Sequence, residues 1–113
     1  MDKLRIIVAN EPRSYRDSIS GALQILRPIA EVFRAEPADL EREVARLAPH
    51  LVICSRLTPT VESGAPCWLE LYPGGSPDVT VGINGERTDM PEFDFEGLLA
   101  VVDRAEILHD SER

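Results

Sequence analysis

Lysine is nearly missing from this chain. Lys3 is the only one among twelve basic residues, set against twenty acidic ones. The resulting net charge of −8 repels a phosphate backbone, which argues against nucleic acid as a direct ligand. Cysteine is scarce too. Cys54 and Cys67 are too few for a disulfide framework and have no partners at zinc-ligand spacing. No apolar run approaches the ~20 residues of a membrane span. Met1 is followed by Asp2 and Lys3 with no signal-peptide core, so the expected compartment is the cytoplasm, with both thiols reduced. The stretch after the first apolar run, Ala9-Asn10-Glu11-Pro12-Arg13-Ser14, contains no glycine, which argues against a phosphate-cradling loop.

What remains is an ordinary globular composition, 43% hydrophobic and 28% charged over 113 residues. That fits one domain, with roughly two thirds of its unfolded surface buried. Leu4 to Ala9 is a short apolar run stopped by Asn10-Glu11-Pro12, and reads as a buried strand. From Ser14 the period changes. Tyr15, Ile19, Ala22, Leu23 and Leu26 recur at helical spacing between Pro12 and Pro28. Glu31 to Arg34 is a second strand. Pro37 to Leu47 is a second helix, with Leu40, Val44 and Leu47 as its apolar stripe and Pro49 beyond it. Leu51-Val52-Ile53-Cys54 is apolar at every position, like a central parallel strand. Strand, helix, strand, helix, strand implies βαβ units and a parallel sheet.

The second half follows another pattern. Residues 56–66, with Pro59, Gly64 and Pro66, read as loop. Trp68 to Tyr72 and Asp78 to Ile83 alternate with period two around Pro73-Gly74-Gly75-Ser76-Pro77, which implies an antiparallel hairpin. Asn84-Gly85 suits a type I′ turn into a polar edge strand, Glu86 to Asp89. Asp94 caps a last helix whose apolar face is Phe95, Leu98, Leu99, Val102 and Ala105. The domain is placed at residues 4–108 and a polar, frayed tail at 109–113.

Three segments resemble bacterial response-regulator receiver domains: Ile6 to Arg13 with the following helix, Pro49 to Pro59, and Phe93 to Leu99. The resemblance covers residues 4–59 well and 91–108 loosely. It implies a receiver-like (flavodoxin-like) parallel sheet, in which the hairpin replaces a helix–strand–helix segment. It also implies where that family's chemistry falls. Its two acidic Mg²⁺ ligands correspond to Ala9 and Asn10, with Glu11 the only carboxylate nearby. Its phosphoacceptor falls on Ser55, and its late lysine has no counterpart. Hard cations need oxygen donors, and a serine hydroxyl needs an activating base or metal. The implied pocket of Ala9, Asn10, Glu11 and Ser55 is therefore degenerate, with no metal, no cofactor and no catalytic residue expected.

Other groups have two readings each. Cys54 and Ser55 end the third strand, where open sheets bind ligands, so Cys54 could be a redox sensor or nucleophile. Strand parity instead turns Cys54 toward the helix layer as a small buried hydrophobe. His50 lies about 13 Å back along that strand, too far to serve as its base, and His109 sits in the polar tail. Trp68 and Tyr72 share one parity of the hairpin, either as core or as an exposed aromatic patch for a partner. The acidic run Asp89, Glu92, Asp94 and Glu96 reads as helix capping and a solvated face.

The expected function is a phosphorylation-independent signalling module of the bacterial two-component type. It would act through a protein partner or a homodimer, with no nucleic acid and no membrane contact, and any effector domain would follow Arg113. The hairpin is expected to leave part of the sheet uncovered, with Trp68 and Tyr72 close to that opening and dimerisation as the remedy. The alternatives are a thiol-based sensor or enzyme at Cys54 and Ser55, or a small-ligand sensor in the same crevice.

Overall fold

A computed structural model describes residues 3–111. Residues 112 and 113 of the expected tail, and Met1-Asp2, lie outside the described residues. The elements are β1 (Arg5–Ala9), α1 (Arg13–Leu26), β2 (Glu31–Arg34), a 3-10 turn (Pro37–Asp39) leading into α2 (Leu40–Leu47), and β3 (Leu51–Cys54). They continue with α3 (Pro59–Gly64), β4 (Cys67–Leu71), β5 (Val79–Ile83), β6 (Glu86–Asp89) and α4 (Phe95–Ser111). One six-stranded mixed sheet has the order β2-β1-β3-β4-β5-β6. The first four strands pair in parallel, and β4, β5 and β6 pair antiparallel. Asn84 (φ 50°) and Gly85 (φ 87°) join β5 to β6 with the two positive φ angles that a type I′ turn requires.

Strand parity divides the core into two layers. One holds Ile6, Val8, Ile53, Leu69 and Val81 against Ile19 and Leu23 of α1 and Leu98, Val101, Val102 and Ala105 of α4. The other holds Ile7, Val52, Cys54 and Trp68 against Leu40 and Val44 of α2 and Val61 of α3. Helices therefore cover both faces of the sheet.

Two boundaries differ from the sequence reading. Residues 56–66 are not all loop, because α3 forms there. Thr58 Oγ1 accepts the Val61 backbone N–H at 3.2 Å, Pro59 occupies the first turn, and Val61 is fully buried. The last helix runs through Ser111, so His109 is helical and its ring lies 3.8 Å, centre to centre, from that of His50. His50 lies just before β3, and Leu108 of the same final turn packs against the core.

Candidate functional site

Chain connectivity singles out one place. From β1 the chain moves outward to β2 and then returns to β3 on the other side of β1. The crevice beyond the carboxyl ends of β1 and β3 is the topological switch point, where open α/β sheets bind ligands. The segments that meet there are Asn10-Glu11 after β1 and Ser55-Arg56-Leu57 after β3, with Glu70 near the end of β4. The pairing Ala9↔Cys54 and Cys54↔Glu70 puts them level with one another.

Apart from the Asn10 side chain, the polar groups at the mouth of this crevice engage one another. The Glu11 backbone N–H donates to Ser55 Oγ at 2.9 Å, and the Ser55 hydroxyl reaches the Glu11 carbonyl at 3.5 Å. The Leu57 backbone N–H donates to Glu70 Oε2 at 2.7 Å. An amide at a crevice lip is a natural anion contact, and here the protein's own carboxylate occupies it. Ala9 is packed in the core and brings only a methyl group. Asn10 is fully buried, and neither Nδ2 nor Oδ1 has a hydrogen-bond partner. Glu11 is the one exposed carboxylate beside Ser55. Magnesium demands several oxygen donors in near-octahedral array, and this donor set does not fit it. No group of three or more His, Cys, Asp or Glu side chains is placed to hold a metal among the described residues. Lys3 precedes β1, at the opposite end of the sheet.

Thiol chemistry requires access and a thiolate, and Cys54 has neither. It is 1% exposed. Burial first, and the Glu70 carboxylate second, push its pKa up to about 12, against a smaller opposing effect from the Arg56 backbone amide. Cys67 is a second buried cysteine that is in no disulfide. His50 lies at the amino end of β3, where its Nδ1 accepts the Arg5 backbone N–H at 2.8 Å. It is a strand length from Ser55 and held there, so it does not serve the crevice as a base.

Trp68 and Tyr72 do not form one exposed patch. Trp68 is 3% exposed, in the layer with Val61 and Ala65. Gly82, directly across the ladder, leaves room for the indole, and Arg87 lies over it at 5.2 Å, anchored by an ion pair to Glu62. The ring of Trp68 is thus covered, while the edge strand β6 is exposed at every residue. Tyr72 leaves the strand with φ 51°, which breaks the alternation and turns its ring to the other face, 6.2 Å from Tyr15. There it joins Phe93 and Phe95 in a groove between α1 and α4. Sequence reasoning missed this grouping. Its available signal was the pair of phenylalanines flanking the Asp94 cap.

No protein-family model, curated protein or solved structure matches the chain. Among the described residues no helix is long and apolar enough to cross a membrane.

Proposed function

We propose that the chain is a receiver-like module that binds a protein partner without being switched by phosphorylation. The closed crevice carries this reading. Ser55, at the position implied for a phosphoacceptor, is engaged with Glu11, and the neighbouring Leu57 amide is engaged with Glu70. A phosphoryl group arriving there would meet the carboxylates of Glu11 and Glu70, with Arg56 as the one cation of the segments that meet there and no lysine, and like charges at short range repel. The order β2-β1-β3-β4 coincides with the first four positions of the doubly wound order 2-1-3-4-5, which supports the receiver-like reading of the fold. With no histidine near Ser55, its hydroxyl already engaged with Glu11, and no accessible thiolate at Cys54, the module acts by binding rather than by turnover.

Intact-mass measurement after incubation with Mg²⁺ and acetyl phosphate tests the proposal. The expected result is an unchanged mass. A stoichiometric phosphoryl adduct on Ser55 would overturn it.

A further inference from the structure

Phenylalanine, tyrosine and tryptophan number only six in 113 residues, and four of them line one groove. Tyr15 from α1, Tyr72 from the end of β4, and Phe93 and Phe95 at the start of α4 surround a volume of about 490 Å³ floored by Ile19 and Leu98. α1 and α4 both begin at this edge of the sheet, and further along Arg27 ties them together through a two-pronged ion pair with Asp103 (2.7 and 2.9 Å). Phe95 is 41% exposed. Burial, and then Tyr72, raise the Tyr15 pKa, so its hydroxyl stays neutral in the groove wall.

The rim has one sign of charge. Asp94 is the only charged residue in the wall, and the exposed Glu92 and Glu96 flank it. One Asp94 oxygen caps the Gly97 amide at 2.8 Å. Elsewhere opposite charges pair off, as in Arg16–Glu36, Arg34–Asp17 and Arg46–Glu43, which all line a second, mixed-charge groove. None of Glu92, Asp94 and Glu96 takes part in an ion pair among the described residues. An apolar aromatic trough with an unneutralised acidic lip complements a ligand that is apolar and cationic together. A second copy of this chain would bring the same lip and the same net charge of −8, so it is a poor occupant.

We infer that this groove docks a short segment of a partner protein that presents apolar side chains flanked by arginine or lysine. The apolar groups fill the space between α1 and α4, and the cation lies over the rings of Phe93 and Phe95 against the Glu92–Asp94–Glu96 rim. The inference rests on the interaction-module reading.

Three short synthetic peptides test it, followed by fluorescence anisotropy and amide chemical shifts. One alternates leucine with arginine, one replaces the arginines by glutamate, and one replaces the leucines by alanine. The Leu/Arg peptide should bind, shift the amides of Tyr15, Tyr72 and Phe95, and weaken as salt is raised. Each of the other two should bind about tenfold more weakly or worse. Phe95→Ala, and separately Glu92→Lys with Glu96→Lys, change exposed positions and should each weaken the Leu/Arg peptide by about tenfold while circular dichroism stays that of the parent. Equal binding of the Leu/Glu peptide, shifts that map to another face, or no binding of the Leu/Arg peptide would overturn the inference. Saturable binding of indole without any peptide binding would also overturn it and make the groove a small-molecule pocket. Mass spectra of the same samples after acetyl phosphate keep the two readings apart. An adduct on Ser55 with peptide binding intact removes the phosphorylation-independent reading, whereas an unchanged mass without peptide binding removes only the docking surface.

Discussion

Replacing Gly82 by alanine should be among the most damaging single-methyl additions in this chain. An alanine Cβ there would stand 2.1 Å from Trp68 Cε2 and 2.4 Å from both Cζ2 and Nε1. Ordinary carbon contacts lie at about 3.5–4.0 Å, so the indole must move by well over an ångström. It has nowhere to go, with Val61 and Ala65 in its packing layer and Arg87 over its ring. Overpacking of this kind costs about 1–3 kcal/mol. Expelling the ring would expose about 200 Å² at ~25 cal/mol per Å², or about 5 kcal/mol. The cheaper response is a compromise of about 2–4 kcal/mol, which lowers Tm by roughly 10–25 °C for a domain of this size. Trp68 is the only tryptophan, so its emission reports both the unfolding curve and the wetting of the ring. Trp68→Leu, followed by circular dichroism, closes the cycle. In its presence Gly82→Ala should cost at least about 1 kcal/mol less, because the clash is gone. A Gly82→Ala variant within about 0.5 kcal/mol of the parent, or strict additivity in the cycle, would refute the packing argument.

The remaining expectations concern the crevice and its buried thiol. Native Cys54 at pH 8 should react with a thiol reagent at least about a thousandfold more slowly than in denaturant, since so little thiolate is present; labelling at comparable rates would contradict its burial. The folded state holds the Cys54 proton above the ordinary thiol range, so it binds more protons than the unfolded chain between about 8.5 and 12. Stability should therefore be insensitive to this group below that window and fall as pH rises through it, with Cys54→Ala flattening the fall in pH-dependent melting. Ser55→Ala removes the acceptor of the Glu11 amide and should cost only about 0.5–1 kcal/mol in denaturant unfolding, leaving peptide binding at the α1–α4 groove unchanged. A loss of groove binding in that variant would mean the crevice and the groove are coupled.

The first three strands and the helices between them were legible because burial on both sides makes Leu51 to Cys54 apolar at every position, while α1 keeps one apolar stripe between two prolines. Parity alone also turned Cys54 toward the helix layer. The helix α3 was not legible. It is six residues long with a single buried side chain, Val61, so no period exists to be counted, and only Thr58-Pro59 marks its start. The groove was hidden for a different reason. Parity places Trp68 and Tyr72 together, but a left-handed backbone at Tyr72 reverses its direction, and that angle is set by the following Pro73-Gly74-Gly75 turn rather than by the strand. The ring pairing of His109 with His50 joins residues 59 positions apart, a contact with no local signature.

The claim that this crevice is closed by its own side chains is tested most directly by amide correlation spectra recorded with and without Mg²⁺ and beryllofluoride, a phosphoryl mimic. The account predicts superimposable resonances for Asn10, Glu11, Ser55, Arg56 and Leu57. Saturable shifts confined to those five amides would show that the site still accepts a metal and a phosphoryl group, and would contradict it.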